Sequence, residues 1–146
     1  MIHSPAWLAA LVLAVALAVP AAAADHNVKL TLDGRPVDRQ GGVAVLHNGV
    51  VYADVVDLVK SFNGLLTFQG AATVVSIGQS TATFTAGSRT MKINGGSVTM
   101  RGPVFVRNGD PYVPLEAFIT RLANAKLRIS ADRTKADISV NANPLS

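Results

Sequence analysis

Few side chains in this chain are of the types that do chemistry. Cysteine is absent, and the only histidines are His3, His26 and His47. Asp54 and Asp57 are spaced one helical turn apart and imitate the carboxylate pair of a general acid–base catalyst, but on an exposed helix face that spacing suits capping and solvation. Serines and threonines are plentiful. A nucleophile–base pair would nevertheless need His47 or His26 together with a partner that no motif marks. Gly41-Gly42, Gly95-Gly96 and Gly102 read as turn glycines, and no G-x-x-x-x-G-K-[ST] phosphate cradle occurs. Lysines and arginines are scattered along strand-like segments without clustered aromatics, which argues against an oligonucleotide platform. On these residues the chain has no catalytic group, resident metal or cofactor, and it reads as a non-enzyme.

One metal-binding arrangement depends on processing. Met1 to Ala24 holds an apolar run, Trp7 to Val19, then Pro20 and the small residues Ala21 to Ala24, the layout of a secretory signal peptide with an A-x-A-type cleavage site. The run is short for a membrane span of about 20 residues, so residues 1–24 are expected to be removed on export. An uncleaved anchor is the competing outcome. Cleavage after Ala23 would expose Ala24-Asp25-His26, whose amine, two amide nitrogens and imidazole can wrap copper(II) or nickel(II) in a square plane. Cleavage after Ala24 removes that chelate.

The signal carries no Lys, Arg, Asp or Glu, so the mature chain keeps the net charge of +4. Such a charge favours acidic polymers or anionic surfaces weakly and is too diffuse to argue for nucleic acid. Seven of the 13 cations lie in residues 101–146, interleaved with Asp110, Glu116, Asp132 and Asp137. An exported chain without cysteine has no disulfide staple, so its core must hold the fold unaided.

From Val28 the pattern is of short strands broken by turns. Val28, Leu30 and Leu32 alternate with polar residues before the hairpin turn Asp33-Gly34 and Arg35-Pro36-Val37. Val43 to Leu46, Asn48-Gly49 and Val50 to Tyr52 form the next hairpin. A helix is expected from about Asp54 to Asn63, with Asp54 its cap and Val55, Leu58, Val59 and Phe62 its apolar stripe. Gly64 is expected to end it in a left-handed conformation. Leu65 to Phe68 and Thr73 to Ile77 read as a hairpin, and Thr81 to Ala86 as a strand.

The arrangement then recurs about sixty positions later. Met91, Ile93 and the turn Asn94-Gly95 repeat the first strand and turn, and Pro103 to Val106 with Asn108-Gly109 repeats the second hairpin. Leu115, Phe118, Ile119 and Leu122 form a second helical stripe, with Pro114 placed in the first turn and Asn124 as the left-handed cap. Leu127 to Ile129 and Ala136 to Val140 complete the unit. The pattern predicts an α+β fold, a duplicated unit of antiparallel strands in which each half packs on one amphipathic helix. The domain is expected over residues 25–140, with halves at about 28–86 and 89–140 sharing a core and a flexible tail over 141–146.

Met91 to Ile129, in which KINGGSVTM leads into VFVRNGDPYVPLEAFITRL, resembles the copper amine oxidase N-terminal-like domain of exported bacterial proteins. The resemblance covers Val28 to Val140. It departs from the pattern at Ala53-Asp54, where the second copy has Val113-Pro114, and after the second helix, where a Gly-x-x-x-x-Trp motif appears as Asn124 to Ile129. In the oxidases this module is similar to a stalk, separate from the domain that holds copper and the tyrosine-derived quinone. Amine oxidase chemistry would need three histidine ligands, and the mature chain has only His26 and His47. The Asn-Tyr-Asp/Glu setting of the modified tyrosine is missing too, since Tyr52 follows Val51 and Tyr112 follows Pro111. Both tyrosines are expected to end strands beside a helix start. The resemblance implies an exported, non-catalytic binding or scaffolding module that associates with an envelope glycan or protein. The alternative is a module that forms homodimers, and a small secreted enzyme is a remote third.

Overall fold

The computed structural model describes residues 24–37 and 42–140. The expected signal, up to residue 23, and the expected tail, residues 141–146, lie outside the described residues. One sheet is built from β1 (His26–Leu32), β2 (Arg35–Pro36), β3 (Ala44–His47), β4 (Val50–Asp54), β10 (Phe105–Arg107), β11 (Asp110–Pro114), β12 (Lys126–Ile129) and β13 (Lys135–Ser139). Its strand order is β10-β11-β4-β3-β1-β13-β12, with β2 hanging on β1. A second sheet runs in sequence order through β5 (Leu65–Gln69), β6 (Ala72–Ile77), β7 (Ser80–Thr85), β8 (Thr90–Ile93) and β9 (Gly96–Thr99). Two short helices, α1 (Val55–Ser61) and α2 (Ala117–Leu122), follow β4 and β11.

The expected α+β class is therefore corrected. Of the described residues, 55% lie in strands and 13% in helices, so the fold is mostly β with two sheets. The apolar stripes are buried as helices, but the helices are short and do not cover separate sheets. The reason is pairing across the chain. β4 pairs antiparallel with β11, which fuses the two hairpins into one sheet, and β1 pairs in parallel with β13. α1 lies against β4, β5 and β11, and α2 against β7, β11 and β12, so both helices touch both sheets. Val55, Leu58, Val59, Leu115, Phe118, Ile119 and Leu122 are buried in one continuous core, with Phe62 half-buried beside them. Phe118 stacks on Phe84 of β7 at a centroid distance of 6.2 Å.

The hairpin turns follow from their residues. Asp33-Gly34, Asn48-Gly49, Asn94-Gly95 and Asn108-Gly109 all have positive φ at both positions, from 47° to 86°. Two-residue hairpins need that geometry to match strand twist, and Asn, Asp and Gly reach it at least cost.

The helix ends differ from expectation. Asn124 is left-handed at φ 54°, but Gly64 is not; the left-handed residue at the end of α1 is Asn63, at φ 57°. Gly64 is required for closeness, since a Cβ there would lie 2.6 Å from the Ser76 carbonyl oxygen of β6 and 3.0 Å from Ile77 Cγ1. Pro114 likewise is the last residue of β11 and not part of the first helical turn. Asn63 and Asn124 stand one position further apart than Asn48 and Asn108 do. α2 absorbs that residue by winding as a π-helix. Ala123 donates to Phe118 O five residues back at 2.8 Å, where in α1 Phe62 donates to Leu58 O four residues back at 3.1 Å. A single-turn π-bulge is the usual form of a one-residue insertion in a helix.

Gly64→Ala is expected to destabilise the protein by about 1–3 kcal/mol through the clash with β6. Asn63→Gly should be neutral or slightly stabilising, because glycine relieves the left-handed strain. Chemical denaturation of both variants checks this. A neutral Gly64→Ala would remove the close approach to Ser76 from the account.

Candidate functional site

Strand alternation sends neighbouring side chains to opposite faces. Val51, Ala53 and Val113 enter the main core, whereas Val45, Tyr52 and Tyr112 turn to the other face of the first sheet and form a second buried cluster. The tyrosines thus lie inside β4 and β11 and face away from the helices, not at strand ends beside a helix start. Tyr52 donates its hydroxyl to Pro103 O at 2.9 Å. Phe105 lies 5.2 Å from the Tyr112 ring and 4.7 Å from Tyr52, and the His47 ring packs 4.3 Å from Phe105. The Arg107 guanidinium sits 5.4 Å over Phe105 and 5.3 Å from the Tyr112 centroid, an arrangement in which the ring faces attract the cation.

Asp25 roofs this cluster. Its carboxylate meets His47 Nδ1 at 2.9 and 3.0 Å and accepts a hydrogen bond from Arg107. Burial pushes the Asp25 pKa up, but the hydrogen bonds from His47 and Arg107 outweigh it and hold the carboxyl below its ordinary range. An imidazole oriented by a carboxylate is two-thirds of a nucleophilic triad. The other nitrogen, Nε2, is met by the Asn48 side-chain amide at 3.3 Å and not by a hydroxyl. The partner the sequence left unnamed for His47 is thus an acid and an amide, and the arrangement ties residue 25 to two hairpins. His26 is paired with Leu46 at the start of β1.

A second polar cluster involves Asp54. It caps α1 by accepting from Val56 N at 2.9 Å, as expected, yet it is 1% exposed and not solvated. Burial, a hydrogen bond with Asp110 and the nearby charges of Asp57 and Asp110 push its pKa up to about 7. A carboxyl so placed keeps its proton to a higher pH than an ordinary aspartate. Asp110 begins β11, far from Asp54 in sequence, so no spacing rule pairs them. The acid pair weighed from sequence, Asp54 with Asp57, is thus joined by a third acid. Among the described residues, no group of three or more His, Cys, Asp or Glu side chains is arranged to hold a metal ion.

The turn and cap residues are distributed around the molecule and do not converge. Asn48 and Gly49 join β3 to β4, Asn94 and Gly95 join β8 to β9, and Asn108 and Gly109 join β10 to β11. Asn94 does more than turn: its Oδ1 accepts from Thr81 N at 3.0 Å, fastening the turn to β7. Of this set, only Asn48 touches the Asp25–His47 cluster.

Fold and polar clusters together define a mostly β module whose hydrogen-bonded groups hold its own strands and turns. The chain belongs to the copper amine oxidase N-terminal domain family, whose model matches residues 31–139. That match takes in the whole stretch, Met91 to Ile129, on which the resemblance rests. The domain of this family is non-catalytic. No curated protein and no solved structure matches the chain.

Proposed function

We propose that the chain is an exported, non-catalytic binding or scaffolding module that associates with a cell-envelope component. One observation carries the reading. Leu65 and Phe68 on β5, 74% and 55% exposed, Val106 on β10 at 57% and Ile129 on β12 all sit on outer strands of the two sheets. Outer strands also present unpaired N–H and C=O groups, so apolar side chains there favour the addition of another chain. The non-catalytic character of the family supports the same reading. Export rests on the signal-like run Trp7 to Val19, and no helix among the described residues is long and apolar enough to cross a membrane. Expressed in a bacterium, the protein is expected outside the cytoplasm, shortened by 23 or 24 residues. Intact mass of the secreted species checks this, and full-length protein in the membrane fraction would contradict it.

The halves 28–86 and 89–140 are proposed to be related copies. The β4–β11 register supports this. Val113 faces Ala53, and the flanking pairs are Tyr112 with Asp54 and Pro114 with Tyr52. Tyr52, Ala53 and Asp54 correspond sixty positions on to Tyr112, Val113 and Pro114, so the pairing is the one an approximate two-fold axis would give.

A second reading, self-association, is favoured by β5 itself. Its sequence LLTFQ has no charge and no proline, the usual guards of an outer strand. Sedimentation of the pure protein decides it: a dimer broken by Phe68→Lys supports the reading, and a monomer at all concentrations removes it.

A further inference from the structure

Three arginines converge on a groove that the clusters above do not use. One chamber, of about 360 Å³, lies between the β3–β4 turn and the β12–β13 turn and is lined by Val50, Val51, Arg101, Pro114, Ile129 and Arg133, among others. A second, of about 280 Å³, shares Arg101, Pro114 and Glu116 with it and continues past Val98 and Thr99 to Arg121. The charged groups lining the two chambers are Arg101, Arg121, Arg133 and one acid, Glu116. Arg101 Nε donates to Glu116 Oε1 at 2.7 Å, but the Arg101 side chain remains 71% exposed. The nearby Asp132 accepts from Ser130, from Thr134 N and from Thr134 Oγ1 within its own turn. That turn holds Arg133 at φ 59°, a backbone conformation unusual for arginine, and the Arg133 guanidinium donates to Gly49 O across the groove.

The remaining lining selects among anions. Neither chamber is lined by an aromatic ring, on which a sugar face would stack; the aliphatic side chains open to them are Val50, Val98 and Ile129, with Val51 and Pro114 buried behind. A phosphate polymer would leave those walls unused. Val98 and Thr99 belong to β9, the outer strand of the second sheet, and Ile129 ends β12, the outer strand of the first. Outer strands offer main-chain hydrogen bonds to an extended chain. We propose that this groove binds an extended acidic peptide segment of an envelope protein, with carboxylates on Arg101, Arg121 and Arg133 and apolar side chains against the aliphatic walls. The inference rests on the binding reading above and narrows its partner to protein.

The test uses the secreted full chain and a fluorescein-labelled peptide of alternating Glu and Val, followed by anisotropy at low salt. Binding is expected, and the pair Arg101→Glu with Arg133→Glu should weaken it by at least about tenfold. Arg35→Glu with Lys60→Glu makes the same change in net charge at a separate cavity, away from the groove, and should alter affinity by less than about twofold. Should the first pair fail to fold, Arg101→Gln with Arg133→Gln gives the same comparison against Arg35→Gln with Lys60→Gln. No binding by the unaltered protein, equal weakening in both pairs, or tighter binding of polygalacturonate or polyphosphate would each overturn the proposal. If the protein still sediments with envelope fragments in those cases, the binding reading stands and only the groove assignment falls.

Discussion

Gly102→Ala is expected to lower the unfolding free energy by about 2–4 kcal/mol. A Cβ at this position would lie 2.2 Å from the Tyr52 hydroxyl and 3.2 Å from its Cζ. Tyr52 has no room to retreat. It is 2% exposed, its hydroxyl is fixed on Pro103 O at 2.9 Å, and its ring is packed against Phe105 and His47. Gly102 does not have a positive φ, so the cost is one of crowding and not of backbone strain. The clash therefore makes its own control. Tyr52→Phe alone should cost about 1 kcal/mol for the lost hydrogen bond. In the Gly102→Ala background it should restore part of the stability, since the nearest atom is gone. Urea denaturation of the four proteins measures the coupling. Strictly additive losses would show that Gly102 and Tyr52 do not meet.

Asp54→Asn is the second large effect, and its sign depends on pH. The folded-state pKa of Asp54 is raised to about 7 from an ordinary 3.8, so the folded protein holds a proton that the unfolded chain releases. The stability associated with that proton is fully present below about pH 4 and is lost as pH rises through about 7. Asparagine caps a helix as well as aspartate does and is never charged. Asp54→Asn should therefore stabilise the protein at pH 8, by an amount on the order of 2 kcal/mol, and make little difference at pH 4. Asp25 works in the opposite sense. Its lowered pKa means that stability is lost as pH falls below the ordinary carboxylate range. Melting temperatures of the unaltered and Asp54→Asn proteins between pH 4 and 8 isolate the Asp54 effect, because that of Asp25 falls at lower pH. An unchanged difference across that range would mean that Asp54 is ionised in the fold.

The four hairpin turns were legible in the sequence, because two successive positive φ values leave Asn-Gly and Asp-Gly almost alone as solutions. The buried stripes were legible from their 3.6-residue period, and Asp54 as a cap from its position before Val55. The sheet order was not. Nothing local says that β4 pairs with β11, or that β1 lies in parallel beside β13, and those two pairings turn two expected α+β units into one mostly β fold. Gly64 was placed in the wrong role because glycine serves both positive φ and close approach. Only the contact with Ser76 O tells the two apart. Pairing Gly64 with Asn124 kept the spacing at sixty and hid the extra residue, so the π turn at Phe118 to Ala123 shows only in the hydrogen bonds and in the left-handed Asn63. The Asp25–His47–Arg107 cluster joins residues up to 82 positions apart, and Asp54 meets Asp110 across two strands. Such pairs carry no periodicity or motif. The groove is in the same position: Arg101, Arg121 and Arg133 read in sequence as part of a mixed-charge surface, and only the fold brings them to one side.

The proposal that this family member works by binding and not by catalysis has a direct test. It is co-sedimentation of the purified secreted protein with washed envelope fragments, with the Arg101→Glu, Arg133→Glu variant alongside. The unaltered protein is expected to pellet with the fragments in a saturable way, and the variant to pellet less. A protein that stays in the supernatant at every fragment concentration, in low salt as well as high, would contradict it.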